Sequence, residues 1–452
     1  MKKFIETLQH IWKIDELRKR ILYTLGLLLI FRLGTFVTIP GVDPEAMADI
    51  IESQGGTGGL LGMLNNFAGG AFYRAGIFAL GIMPYITASI VMQLLTLVVP
   101  SVKKIQRDGE SGRRKIQQYT RALTIIITAV QGAAYITFLK TTFRGALVID
   151  GPLFMASTII ILISGTLFVM WLGEKITDRG IGNGVSLLIT VGIIASLPGS
   201  LITEFNAKLS AGGGGLLIFL IEILVLLGVV LATIALVQAT RKIPVQYPKR
   251  MVGRGGRVAE VGGARQFIPL KLNASGVMPI IFAQALMFLP AQITTALGQG
   301  QASGGLLASL SDFGSPLYNV LTFLLVIVFT YFYTALIINP KEMSENMKQQ
   351  GGFIPGVRPG SQTTSFIENI LDRITLPGSV FLGLIAILPA FAMLAGVGQN
   401  FALFYGGTSL LIMVAVVLDT LQQIESHLLM RHYDGLLDKG KIQGRSRVGA
   451  SF

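Results

Sequence analysis

The sequence predicts an all-α polytopic membrane protein with ten transmembrane helices in two inverted five-helix halves. Ten long apolar runs divide the 452 residues, of which 52% are hydrophobic and only 13% are charged. Mean hydropathy is +0.65. Since soluble domains carry about 25% charged residues, roughly half of the usual charge is missing, and the apolar runs account for the deficit.

Each apolar run has a length suited to one membrane crossing. A helix needs ~20 residues to span ~30 Å of hydrocarbon, and its backbone hydrogen bonds must be satisfied within the segment. No small-residue cleavage site follows the first run, so we expect a retained helix and not a signal peptide. The runs cover residues 21–39, 77–99, 122–139, 153–172, 185–202, 216–237, 273–297, 317–338, 378–397 and 401–418.

The positive charges predict which side of the membrane each loop occupies. Lys and Arg stay in short cytoplasmic loops, and nearly all of the 37 fall on the side that holds both termini. The exceptions are Arg32, inside the first run, and four residues on the other side: Arg74, Lys140, Arg144 and Lys208. We therefore expect cytoplasmic N- and C-termini, which agrees with an even number of spans.

The span count also predicts internal symmetry. Ten spans divide into five and five near the linker before Gly215, and an odd number per half forces the second half to run inverted. Such repeats place a shared pathway at their interface. The predicted units are a cytoplasmic segment 1–20, a first half 21–210, a second half 211–420 with cytoplasmic loops 238–272 and 339–376, and a cytoplasmic tail 421–452.

The residue types disfavour two other classes of membrane protein. The chain has no cysteine, and its histidines (His10, His427 and His432) lie in the polar tails, so we expect no histidine- or thiolate-based metal site in the membrane and no cofactor. Only Arg32 and Glu222 are charged within the spans. An ion-coupled secondary transporter needs buried carboxylates and is the runner-up; a membrane-embedded enzyme comes third.

Two further stretches call for a function. Residues 58–70, "GGLLGMLNNFAGG", are apolar but too short to cross, and on their own they are typical of a re-entrant surface loop. The basic stretch 241–257, "RKIPVQYPKRMVGRGGR", fits either attraction to anionic lipid or docking of an acidic or nucleic-acid-bearing partner. Its length favours docking.

Several strings resemble the SecY family, the channel subunits of the bacterial protein-export translocase. The similarity runs from about Arg18 to the tail. The strings are "FALGIMPYITASIVMQLL" (78–95), "GESGRRKIQQYTR" (109–121), "MWLGEKITDRGIGNG" (170–184), "FYTALIINPKEMSENMK" (332–348), "FIPGVRPG" (353–360) and "FYGGTSLLI" (404–412).

The resemblance implies a constriction closed by aliphatic side chains, and a short plug helix against it. A collar of flexible aliphatics can close around any chain and, when empty, excludes water by dewetting. Matched by motif, the ring residues are Ile82, Ile86, Val185, Ile189, Ile281 and Ile412. The plug, about residues 57–74, would use Leu60, Leu61, Met63, Leu64, Asn65 and Phe67. Flanking glycines would supply hinges, and Asn65 and Asn66 would keep the helix displaceable.

The resemblance also implies a lateral gate and cytoplasmic docking loops. The gate would open between spans two and three and spans seven and eight, with Ser89, Gln93 and Gln284 as its polar lining. The residues implied to bind the docking partner are Arg358, Lys249, Arg250, Arg254 and Arg257. The implied partners are SecE, SecG, the motor ATPase SecA, the ribosome, secretory polypeptides with their signal sequences, and membrane lipid.

These features together predict a multi-pass protein of the cytoplasmic membrane that conducts polypeptide. We expect it to pass unfolded secretory chains across the membrane and to release transmembrane segments sideways into lipid. It is expected to be no enzyme, because neither glycine-rich stretch, "GIGNG" (180–184) or "GRGG" (253–256), has the spacing of a phosphate-binding loop. A partner would then supply the energy.

Overall fold

The protein is helical through most of its length. The computed structural model describes residues 14–53, 59–149, 151–210, 214–247, 250–252, 259–261, 265–296, 309–310 and 314–439. Its helices are α1 (Asp15–Gly34), α2 (Pro44–Ser53), α3 (Gly59–Phe67), α4 (Met83–Val98), α5 (Pro100–Arg107), α6 (Glu110–Thr142), α7 (Pro152–Arg179), α8 (Gly184–Ser210), α9 (Gly215–Gln238), α10 (Met278–Ala296), α11 (Pro316–Ile337), α12 (Pro340–Gln349), α13 (Ser361–Leu394), α14 (Gln399–Ala402) and α15 (Gly407–Lys439).

Each predicted span overlaps one long helix: α1, α4, α6, α7, α8, α9, α10, α11, α13 and α15 in order. Within the described residues, seven helices are long and apolar enough to cross a membrane on their own, and eight if α4 and α5 count as one bent span. Several helices run well past the predicted limits. For example, α13 begins at Ser361 and α15 continues to Lys439, so parts of the predicted cytoplasmic segments extend the spans.

Proline marks where several helices start. It occupies the first turn of α4, α5, α7, α11 and α12, where its missing N–H is not needed and its fixed φ suits the helix. Pro100 also breaks the second span. The residue before a proline is driven out of the helical region, and Val99 is extended (φ −99°, ψ 110°). Helices α4 and α5 consequently meet at 103°.

The loop 238–272, predicted to be cytoplasmic, contains strands, which the all-α prediction lacks. Strand β1 (Thr240–Gln246) pairs antiparallel with β4 (Arg265–Lys271), with Ile243 opposite Ile268, and the shorter β2 (Arg250–Val252) pairs with β3 (Ala259–Val261). Ile243 and Val245 alternate with exposed residues and belong to one apolar cluster with Met347 and Ile367. The loop thus has its own apolar core, shared with α12 and the start of α13.

Small residues allow the helices of the first half to approach closely, as is usual between membrane helices. A Cβ at Gly165 on α7 would lie 2.2 Å from the carbonyl oxygen of Ile77, and one at Gly184 on α8 would lie 2.0 Å from that of Gly173. Helix α9 is the opposite case. Leu217, Leu220 and Leu224 are 60–66% exposed, so this helix presents a broad apolar face away from the bundle.

Buried charges join the two predicted halves at one seam. Lys208 Nζ on α8 lies 2.9 Å from Glu222 Oε1 on α9 and 3.4 Å from Glu204 Oε1. Lys208 Nζ also donates to the Gly396 carbonyl (2.8 Å), and Gly398 N–H donates to Glu204 Oε2 (3.0 Å). Glu222 is only 7% exposed, and its ion pair with Lys208 compensates the buried charge.

Candidate functional site

The six predicted ring residues lie in one apolar cluster, although 330 positions separate the first from the last. Ile82 immediately precedes α4, and Ile86 lies one turn into it. Val185 and Ile189 are on α8, Ile281 is on α10 and Ile412 is on α15. Ile82, Ile86, Ile189 and Ile412 are at most 9% exposed, and Val185 and Ile281 are half-buried members of the same cluster. One apolar cluster thus includes these aliphatic side chains from four helices, two in each predicted half.

Helix α3, the predicted plug, packs against this cluster. Met63 and Phe67 are 1% and 5% exposed and belong to it, and Leu64 packs on it half-buried. The helix spans nine residues, about 13 Å at 1.5 Å per residue, so it is far too short to cross a bilayer. The side chains of Leu60 and Leu61 lie outside the part of the chain that the structure describes.

The C-terminal end of α3 is closely held. Asn65 Oδ1 accepts a hydrogen bond from the backbone N–H of Tyr73 (3.1 Å), so this residue stabilises the turn that follows the helix. Gly69 and Gly70 have φ of +65° and +90°, which only glycine adopts at low cost. Gly192 on α8 lies directly beside the helix end, because a Cβ there would be 2.9 Å from the Asn66 carbonyl oxygen.

Two of the predicted gate residues lie at a contact between the halves. Gln93 and Ser89 are one turn apart on α4, and Gln93 Nε2 donates to Ser89 Oγ (3.4 Å). Gln93 Oε1 accepts a hydrogen bond from the hydroxyl of Tyr333 on α11. The Tyr333 ring in turn packs edge-on against Phe282 of α10, with centroids 4.8 Å apart. This seam is thus a polar pair embedded in aromatic packing.

Gln284, the third predicted gate residue, makes different contacts. It is 6% exposed on α10. Its Nε2 lies 4.0 Å from Met63 Sδ on α3, and its Oε1 accepts a hydrogen bond from Thr408 Oγ1 (2.6 Å) at the start of α15. Gln284 therefore connects the short helix to the second predicted half, while Gln93, which also binds Ser89, contacts α11.

The predicted docking residues divide between described and undescribed parts of the chain. Arg358 is exposed between Gly356 and Gly360, whose φ angles are +86° and +109°, and no ion pair holds its side chain among the described residues. The adjoining Phe353 pairs with Gln246 of β1 through two backbone hydrogen bonds (2.9 and 3.0 Å). Lys249, Arg254 and Arg257, and the side chain of Arg250, lie outside the described residues.

The structure adds three site residues that sequence reasoning did not select. Tyr333 and Thr408 supply the partners of Gln93 and Gln284, and both lie within quoted motifs, "FYTALIINP" and "FYGGTSLLI". Arg32 donates from Nη1 to the carbonyl oxygen of Gly69 (2.8 Å), at the end of α3. A charge inside an apolar run is a functional signal by default, and that signal was available for Arg32.

The chain is similar to known proteins over nearly its whole length. The SecY family model matches residues 76–421. The protein translocase subunit SecY of Streptomyces scabiei is 43% identical over 440 residues, covering 94% of this chain and 98% of that protein. The same subunit of Escherichia coli is 39% identical over 439 residues, covering 96% and 97%.

Solved structures show the same fold. A protein-conducting channel superimposes with a TM-score of 0.63 at 20% identity, covering 94% of both chains. Sec61 from a canine ribosome–channel complex gives a TM-score of 0.60 at 19% identity, with the same coverage. The family match, the near full-length relatives and the shared fold agree, and this chain belongs to the SecY family of protein translocase subunits.

Proposed function

We propose that this chain is the protein-conducting channel of a translocase in the cytoplasmic membrane. It passes unfolded secretory polypeptides across the membrane and releases apolar segments sideways into the bilayer. The observation that carries the proposal is one apolar cluster that holds six aliphatic residues from four helices of both predicted halves, with α3 packed against the cluster. The relatives' names as translocase subunits and the channel structures of the same fold support it.

The chemistry of this cluster suits conduction of chains of any sequence. Aliphatic side chains make no sequence-specific hydrogen bonds, and they change rotamer readily to fit a passing side chain. When nothing occupies the constriction, an apolar collar excludes water and hydrated ions by dewetting. The packing of α3 against it adds a second barrier. In a SecY structure that superimposes with a TM-score of 0.61, the plug domain stabilises the closed state of the channel and maintains a membrane seal.

The lateral exit is proposed to lie between α4 and α11, beside α10. Helices α4 and α11 meet there through Gln93 and Tyr333, and α10 also contacts α6. A seam closed partly by one hydrogen bond is weaker than one closed by continuous packing, because such bonds between membrane helices contribute only ~0.6 kcal/mol on average. An apolar signal segment entering from the constriction can therefore separate the seam and reach lipid.

The cytoplasmic hairpin β1–β4 and the loop around Arg358 are proposed as the docking face for the partner that drives transport. The two are joined through Gln246 and Phe353, and the exposed guanidinium of Arg358 suits carboxylates and RNA phosphates alike. Channel structures of this fold are described in ribosome complexes. We propose SecA, the ribosome, SecE and SecG as partners, and assign no bond-making step to this chain.

Transport into vesicles tests the proposal. The chain is reconstituted with its translocase partners, and an unfolded precursor is added with the motor and ATP. We expect the precursor to become protected from external protease, and a precursor carrying a covalently closed, bulky loop to stall. Saturable uptake of a small solute driven by an ion gradient, with the precursor remaining accessible, would instead support the secondary transporter.

A further inference from the structure

Arg32 is a cation near the end of a membrane helix. Its side chain donates a hydrogen bond to a backbone carbonyl. It lies in the last turn of α1, half-buried, and no carboxylate pairs with it among the residues that the structure describes. Its Nη1 lies 2.8 Å from the carbonyl oxygen of Gly69. Placing a charge in an apolar span costs free energy of insertion, so we expect this contact to have a function.

The acceptor lies two residues beyond α3, in the turn that ends the helix. The preceding carbonyls are satisfied locally: Leu64 O by Ala68 N, Asn65 O by Gly70 N and Asn66 O by Gly69 N. The Gly69 carbonyl turns toward α1 and meets Arg32. The C-terminal end of a helix attracts positive charge, and Arg32 lies at two such ends, those of α1 and α3.

Gly69 is closely approached by two other helices. A Cβ on Gly69 would lie 2.8 Å from Arg32 Nη1 and 3.4 Å from the Cα of Gly192 on α8. Residue 69 therefore lies between α1 and α8, and its φ of +65° favours glycine. Arg74 is a natural comparison, because both guanidiniums lie over the same ring of Phe36, at 5.7 Å for Arg32 and 4.4 Å for Arg74. Arg74 is exposed.

We propose that Arg32 is a positioning residue that fastens the C-terminal end of α3 in its place against the aliphatic cluster. Through this bond, α1 determines how often α3 leaves that place. The inference rests on the proposed function, in which α3 seals the resting channel. It explains why an arginine is present where an apolar residue would insert into the membrane more readily.

The test measures the exposure of α3 directly. The chain has no cysteine, so Met63→Cys, at a position that is 1% exposed, gives one labelling site. The rate of reaction with a membrane-impermeant maleimide is measured in the reconstituted complex. We expect Arg32→Leu to raise the rate about ten-fold, which corresponds to ~1.4 kcal/mol. Arg32→Gln should raise it less, and Arg32→Lys, which keeps the charge and a donor, should restore most of the protection.

Arg74→Gln is the comparison variant, because it removes the neighbouring guanidinium from the same ring and leaves the Arg32–Gly69 hydrogen bond in place, and it should leave the rate unchanged. An unchanged rate in both Arg32→Leu and Arg32→Gln would overturn the inference. A rise that Arg32→Lys does not reverse would also overturn it, since a general loss of structure gives that result. Resting ion flux is measured in parallel. Faster labelling without added flux would support the fastening by Arg32 and contradict the sealing role of α3.

Discussion

The hydroxyl of Tyr333 on α11 donates a hydrogen bond to the side-chain oxygen of Gln93 on α4. These residues are 240 positions apart, one in each predicted half, and their bond lies at the proposed lateral exit. It is the point where the sequence motifs "PYITASIVMQ" and "FYTALIINP" meet in space. If the exit opens there, the strength of this bond sets how apolar a signal segment must be to separate the helices.

Removing the bond should lower that requirement. We expect Gln93→Leu and Tyr333→Phe each to weaken the closed seam by about 0.6–1.5 kcal/mol. Export of a precursor with a defective signal sequence should then rise about three- to ten-fold, and the double variant should add little to either single one. Tyr331→Phe makes the same chemical change two residues away and should have no effect. If export of the precursor with a defective signal sequence is unchanged in both seam variants, the lateral exit does not lie between α4 and α11.

The predicted ring should be separable from ordinary core packing. Ile189→Ala and Ile176→Ala both remove a buried isoleucine from the same cluster, with Ile189 3% and Ile176 0% exposed. Each should destabilise the protein by about 2–5 kcal/mol. Only Ile189→Ala should raise the resting ion conductance of the channel in planar bilayers, because only Ile189 is expected to face the constriction. Equal conductance in the two variants would argue against the ring.

The close approach of α8 to α3 gives another prediction. In Gly192→Ala the new Cβ would lie 2.9 Å from the Asn66 carbonyl oxygen, so α3 must shift, and we expect faster labelling of Met63→Cys and a higher resting conductance. Gly199→Ala is the control on the same helix, because no atom lies within 4 Å of its Cβ position. It should leave conductance unchanged and stabilise α8 by about 0.5–1 kcal/mol.

Lys208 should be essential for stability because it neutralises two buried carboxylates. Glu204 and Glu222 are 4% and 7% exposed, and Lys208→Met leaves both without a cation. Breaking a buried ion pair in this way costs about 3–5 kcal/mol, which should appear as a lower midpoint of thermal unfolding in detergent. The triple variant Glu204→Gln, Lys208→Met, Glu222→Gln should recover most of the loss. A Lys208→Met protein as stable as the original would contradict this account.

The positions of the long helices could be predicted because a span must be a continuous apolar helix in lipid, and the long runs that result are easy to detect. The hairpin β1–β4 was missed for the opposite reason. Its strands are short, contain Pro244 and Pro269, and alternate apolar and polar residues over only a few positions. Such a pattern predicts a loop rich in turn-forming residues. In the fold, β1 pairs with β4, and Ile243 and Val245 join an apolar cluster with residues of α12 and α13.

The contacts within the site could be predicted less well from the sequence. The ring residues were identified by resemblance, since an isoleucine in a pore and one in a core look alike in a sequence. Gln284 was assigned to the gate by the span that carries it, but its hydrogen-bond partner Thr408 lies 124 residues away on α15. For Arg32 the sequence showed that a partner was needed, and only the fold identified it as the Gly69 carbonyl.

The most direct test of the central claim is photocrosslinking to a polypeptide stalled partway through export. Photoreactive residues are placed at Ile86 and Ile281, one in each predicted half, and at Leu324 on α11, which is 52% exposed. A polypeptide passing through the cluster should crosslink strongly from both isoleucine positions and not from Leu324. A stalled, engaged chain that crosslinks from neither Ile86 nor Ile281 would contradict conduction through this cluster.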